Sequence, residues 1–395
     1  MKARLRKLFF RGGELVPGNR VRLLQGGAEF FAALIAAIDA AQAEIHLETY
    51  IFNPDPSVAL VRDALVRAAQ RGVQVRLLID GIGSRELPPA WRNELVAAGA
   101  SVLDYRPLVG GWRSNPLSLR RLHRKLAVVD ARIAFVGGMN LIDDFAPVRH
   151  AAPRLDFSVE LQGPLLIDAH RHASHLWRLV ALTQLQAGDS GPPRIQPSWP
   201  TDGRVRAALV VRDNFAHRRD IERAYLAALA LAREEILIAN AYFLPGRRFR
   251  QLLKKAVARG VRVRLLVQGH TDHPWFQAAA RALYRDLLAA GIEIHEHRAS
   301  ELHAKVAVVD HHWATVGSSN IDPFSLLLAR EANLVVEDAG FARELRQRLQ
   351  QAIGQSAALE PAHWRRRPWP HRVLSWLAYG GVRVMVGLVG GGRRI

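Results

Sequence analysis

The sequence contains no cysteine. That absence removes disulfides, thiolate nucleophiles and Cys-built zinc or iron–sulfur centres, and it fits a reducing compartment. Lysine is scarce too: only six of the 55 basic residues are lysine. The skew towards arginine reads as compositional bias, with no mechanism of its own. No run of about 20 uninterrupted apolar residues occurs, so no membrane-spanning helix is expected. The opening stretch, MKARLRKLFFRGGELVPG, is basic, but its apolar part is too short for a secretory signal core. Acidic residues number 36 and leave a formal charge of +19. Such a surplus favours a polyanionic partner, either nucleic acid or the anionic leaflet of a membrane. Aromatic residues make up 7% and form no evident stacking array of the kind that binds single-stranded nucleic acid.

What is present is a folded chain with an internal repeat. Its 395 residues, 49% hydrophobic and 23% charged, suffice for two core-forming domains. AEIHLETYIFNP (43–54) answers to EEILIANAYFLP (234–245), each an alternating strand-like run preceded by an Ala-rich helical pattern. AAQRGVQVRLLIDG and AVARGVRVRLLVQG then repeat a helix end and a buried-type strand, with Gly72 and Gly260 where left-handed caps belong. A third strand pattern follows in each half. Strands alternating with helices predict an α/β fold of two similar α/β/α sandwich domains related by a pseudo-two-fold, with a site at their interface. The expected boundaries are 1–186 for the first domain, 187–203 for a Pro/Gly-rich linker and 204–355 for the second. A basic-aromatic tail (356–395) follows, in which Trp and Arg flank the apolar stretch 373–389, as in a membrane-interface anchor.

LHRKLAVVD (122–130) and LHAKVAVVD (302–310) carry the chemistry. In each, His, Lys, Asp, a small pair and Asn recur at equal spacing: His123, Lys125, Asp130, Gly137, Gly138 and Asn140; then His303, Lys305, Asp310, Gly317, Ser318 and Asn320. Read as one strand, the motif places His and Lys on the same face and Asp on the other, so Asp130 and Asp310 are expected to brace the site. A His beside an ammonium suits phosphate: Lys holds the phosphoryl oxygens, Asn donates a hydrogen bond, and small residues admit the ligand. The imidazole can then attack phosphorus or protonate a leaving oxygen. Lysine on the same face opposes a metal site, so none is expected. One such His could be an ordinary core histidine, but two matched copies argue against it. A nucleophilic His needs an orienting carboxylate; Asp156 and Glu331, each following its motif at a similar interval, are the candidates.

The paired motifs with GGMN and GSSN resemble the phospholipase D superfamily. LETYIF, IANAYFLPG, HHWATVGSSNIDPFSLLL and EANLVV are similar to bacterial cardiolipin synthases, specifically the B type without N-terminal membrane helices, over roughly residues 20–350. The resemblance implies phosphatidyl transfer without metal, nucleotide or other cofactor. One His, by analogy His123, attacks phosphatidylglycerol; the other, His303, is the acid and base; cardiolipin and glycerol are the products. It also implies anionic phospholipids and a membrane surface as partners, a peripheral position at the cytoplasmic face of the cell membrane, no nucleic acid and no obligate protein partner. The alternatives are a phosphodiesterase or nuclease of the same superfamily, a synthase using phosphatidylethanolamine as donor, and a non-catalytic basic module that binds membranes.

Overall fold

The structure, a computed structural model, describes residues 14–107, 120–145, 152–184, 195–200, 202–213, 216–269, 274–323, 325, 329–366 and 368–389. Most of the expected linker lies outside these residues.

The first half runs β1 (Val16–Gln25), α1 (Gly26–Ala40), β2 (Glu44–Thr49), α2 (Pro56–Gln70), β3 (Gln74–Asp80), α3 (Pro89–Ala97), β4 (Ser101–Tyr105), β5 (Lys125–Val129), β6 (Ile133–Gly137), β7 (Phe157–Gln162) and α4 (Leu166–Thr183). The second half repeats this order as β8 (Val205–Arg212), α5 (Asp220–Leu231), β9 (Glu235–Asn240), α6 (Arg247–Ala258), β10 (Arg262–Gln268), α7 (Pro274–Ala289), β11 (Glu293–His297), β12 (Lys305–Val309), β13 (Trp313–Gly317), β14 (Glu331–Glu337) and α8 (Ala339–Gly354). A short β15 (Ala357–Ala358), α9 (Pro361–Arg365) and α10 (Trp369–Val389) follow.

The strands form one continuous ladder, β15-β11-β10-β9-β12-β13-β14-β8-β1-β7-β6-β5-β2-β3-β4. Its two arms have the same order outward from the β1–β8 seam, as a duplicated domain requires. β2, β3 and β4 pair in parallel, joined by helices, and so do β9, β10 and β11. Gly72 and Gly260, at φ 85° and 88°, end the connecting helices in the left-handed conformation that the sequence predicts.

One face of each arm is sealed by its own three helices, α1–α3 over the first and α5–α7 over the second. The other two faces share a single core, in which Val136, Phe157 and Val159 join Val316, Leu334 and Val336, flanked by α4 and α8. Burial of both faces explains why LAVV and VAVV are uniformly apolar rather than alternating. Leu126 and Val128 of one motif strand and Val306 and Val308 of the other contribute to this shared core.

Candidate active site

The motif strands begin at the lysines, not at the histidines. His123 and His303 each sit two residues before the strand, where the chain bridges to the opposite half: Leu122 pairs in parallel with Arg330, and Leu155 with Leu302. The His123 N–H donates to the Arg330 carbonyl (3.0 Å), and the His303 N–H to that of Leu155 (2.9 Å).

These bridges exchange the carboxylates. Each candidate acid follows its own motif in sequence, but each meets the other motif's histidine. His123 Nδ1 lies 3.0 and 3.1 Å from the Glu331 oxygens, and His303 Nδ1 lies 2.5 Å from Asp156 Oδ2. Each Nδ1 is engaged by its carboxylate, which leaves Nε2 as the ring atom available for chemistry.

Lys125 and Lys305 are buried beside these pairs, and each Nζ donates to the carbonyl of its own motif histidine, at 2.7 Å for Lys125. Tyr50, which the sequence reading missed, packs its ring 5.0 Å from that of His123 and 5.5 Å from Lys125 Nζ. Its only sequence signal is its place in LETYIF.

Burial dominates the electrostatics. It lowers the pKa of Lys125 to about 7, opposed by Glu331, and that of Lys305 to about 8, opposed by Asp156 and Glu331. Burial likewise depresses His123, and depresses His303 well below its ordinary value with Lys305 adding to the effect. It raises Asp156 to about 6 despite the nearby Lys305.

The small residues match in position but differ in role. A Cβ at Gly138 would lie 2.2 Å from the Asp156 carboxylate, so glycine there makes room for that group. The Ser318 hydroxyl instead donates to Glu331. A Cβ at Gly137 or Gly317 would collide with Ser158 or Asn333 on the neighbouring strand. Asn140 accepts from the Ile51 N–H (3.2 Å), which leaves its amide NH2 as the donor end. Asn320 is buried with its side-chain oxygen unpartnered.

Asp130 and Asp310 lie at the opposite end of the motif strands, about 16 Å along a five-residue strand. Distance along the strand, more than side-chain parity, removes them from the chemistry. Both adopt left-handed backbone, at φ 51° and 52°. The Asp130 carboxylate accepts from the N–H groups of Gln42, Ala43 and Glu44 (2.8–2.9 Å), and Asp310 from those of Arg233, Glu234 and Glu235. They tie the start of β2 and β9 to the motif strands.

Among the described residues, Glu44, His46 and His170 form a buried group with metal-like spacing away from this site. Arg76 Nη1 lies 3.2 Å from Glu44 and 3.3 Å from His46 Nε2, so a guanidinium already holds the place of a cation.

Two matched halves that lend each other carboxylates around a shared His/Lys centre define a phospholipase D-like enzyme. The chain belongs to the cardiolipin synthase family, whose profile, described as "Cardiolipin synthase, PLD-like domain", matches residues 34–144 and 225–353. It is 40% identical over 386 residues to cardiolipin synthase B of Escherichia coli K12, covering 94% of this chain and 90% of that one. It is 30% identical over 377 residues to cardiolipin synthase A of Yersinia pseudotuberculosis, covering 92% of this chain and 75% of that one. The fold matches a phosphatidylserine synthase of Haemophilus influenzae at TM-score 0.70 and 14% identity, over 98% of this chain and 99% of that one. The enzyme is therefore a phosphatidyltransferase acting on phospholipids.

Proposed function

We propose that the enzyme joins two phosphatidylglycerol molecules into cardiolipin, with release of glycerol, through a phosphatidyl-histidine. The observation that carries this reading is the pair of exchanged His–carboxylate contacts, each presenting a free Nε2 beside a buried lysine. His123 Nε2 attacks the donor phosphorus, and the phosphorus–oxygen bond to glycerol breaks. His303 gives its Nε2 proton to the departing glycerol oxygen. His303 then takes the hydroxyl proton of the second phosphatidylglycerol, whose oxygen attacks phosphorus and frees His123. Lys125 and Lys305 stabilise the charge that builds on the phosphoryl oxygens. One phosphodiester replaces another, so no external energy source enters. Asp156, raised to about 6, supports the proton-carrying role of its pair with His303: the two share a proton close to neutrality, and an anionic phosphodiester beside them draws it further.

We further propose peripheral attachment to an anionic membrane through α10. No helix among the described residues is long and apolar enough to cross a membrane. Ser375, Ala378 and Val382 bury one face of α10, while Trp369, Val373, Trp376, Leu377 and Val384 expose another at helical spacing, with Arg372 and Arg383 also exposed. That composition suits a lipid interface. Trp275, at the start of α7 and 48% exposed, packs on Gly381 and extends the apolar surface.

The test is purified enzyme in phosphatidylglycerol vesicles, with products resolved by mass spectrometry. Cardiolipin and glycerol in equal amounts, both lost in His123→Ala, are expected. Phosphatidic acid as main product would make the enzyme a hydrolase, and DNA cleavage without lipid turnover a nuclease. Unchanged lipid output in His123→Ala would remove catalysis at this site.

A further inference from the structure

The two His–carboxylate pairs are alike in geometry but unlike in support. On β8, Arg212 is the direct cross-strand partner of Glu331, so both side chains project from the same face of the ladder. Arg212 is 2% exposed; Nη1 donates to the Ala329 carbonyl, while Nε and Nη2 are buried without a partner. A buried guanidinium with two orphaned donors is costly and calls for a compensating charge nearby. Burial lowers its pKa to about 10, with Glu331 acting in its favour, so it remains a cation at neutral pH.

The matching position in the first half carries no charge. There Gln25 pairs with Phe157, so the residue opposite Asp156 is Gly26, whose N–H donates to the Asp156 carbonyl (3.1 Å). The second difference lies in the donors: the Ser318 side chain donates to Glu331, whereas Gly138 has no side chain to donate and Asp156 accepts instead from the Phe157 N–H (2.8 Å). The charged groups around Glu331 are His123, Arg212, Lys125 and Lys305; those around Asp156 are His303, Lys305, Lys125, Asp144 and Arg154, which is paired with Glu301.

We propose that Arg212 is a positioning residue that, with Ser318, holds Glu331 as a fixed anion behind His123, dedicating that pair to the covalent step and leaving the proton to His303 and Asp156. The proposal rests on His123 being the nucleophile. The motifs themselves do not separate the two histidines; Tyr50 against His123, where Ala241 holds the matching position, and Arg212 and Ser318, set against Gly26 and Gly138, do.

Rapid quench with labelled phosphatidylglycerol vesicles, from about pH 6 to 8, tests it in wild type, Arg212→Met, Arg212→Lys and Ser318→Gly, with the adduct located by peptide mapping. Without the cation the His123–Glu331 pair holds a proton more readily, and a protonated imidazole cannot attack phosphorus. The pH profile of adduct formation in Arg212→Met should therefore move to higher pH by about one unit, with a deficit relative to wild type that grows towards pH 6 and has about tenfold as its limit. Arg212→Lys should restore the wild-type profile. Ser318→Gly should shift it in the same direction as Arg212→Met, and it keeps the test available if Arg212→Met does not fold, since glycine already occupies the matching position 138. A mutant-to-wild-type ratio that is flat with pH in Arg212→Met and Ser318→Gly, with the adduct on His123, would overturn the part given to Arg212 alone. An adduct on His303 in the wild type would overturn the assignment of His123 and the division of labour with it.

Discussion

Gly138→Ala adds one methyl group beside the His303–Asp156 pair proposed to carry the proton, and changes no charge. Its Cβ would lie 2.2 Å from Asp156 Oδ1 and 2.8 Å from Cγ, against ordinary contacts that begin at 3.4 Å. The carboxylate must retreat by about 1.2 Å, which breaks a hydrogen bond of 2.5 Å to His303 Nδ1. A misplacement of that size costs about 10²-fold in rate, and the overpacking costs about 1–3 kcal/mol of stability. Gly246→Ala is the control: at φ −62° with nothing within 4 Å of the added carbon, it should be silent. The assay is cardiolipin formation per folded enzyme in phosphatidylglycerol vesicles, alongside a thermal melt. Full turnover by folded Gly138→Ala would refute the reasoning, because the His303–Asp156 contact would then be dispensable.

The pH profile of kcat/KM should fall on the alkaline side. The His303–Asp156 pair gives up its proton above about pH 6, then Lys125 near 7 and Lys305 near 8 lose charge, all weakening attack on the donor. A plateau extending past pH 9 (roughly one unit above the last of these) in vesicle assays would contradict those shifts. Lys125→Arg keeps a cation but replaces a compact ammonium that fits beneath His123 with a planar fork, and turnover should drop about 10²-fold; near-normal turnover would make Lys125 a generic cation. Asp130→Ala strands three backbone N–H groups and should cost about 3 kcal/mol in a chemical melt while activity per folded molecule persists. Trp376→Glu with Leu377→Glu should abolish cosedimentation with anionic vesicles yet spare turnover of detergent-dispersed lipid; unaltered cosedimentation would remove α10 from the membrane contact.

The duplication was legible because His, Lys, Asp and Asn recur at fixed spacing in apolar strands, and spacing survives in one dimension. The seam was not. β1 begins VPGNR, with proline and glycine where a strand reading looks for β-branched residues, and it gains its regularity from pairing with β7 and β8. The identities of Asp156 and Glu331 as candidate partners could be read from their intervals, but not which histidine each would face. That choice is made by two bridges between segments far apart in sequence, Leu122 to Arg330 and Leu155 to Leu302. Arg212 was invisible for a similar reason: among so many arginines, only its register opposite Glu331 sets it apart.

The exchange of carboxylates also bears on when the enzyme becomes dangerous to its own substrate. A chain that has folded only its first half holds His123 without Glu331, and Asp156 without His303. His123 is then not oriented, and Lys125 lacks Glu331, the foremost of the anions that sustain its charge. On the mechanism proposed above, phosphatidyl transfer begins only once the two halves have docked and the shared core has closed. On that reading, quality control is built into the order of assembly: an immature or half-degraded chain has no complete centre with which to cut a phospholipid.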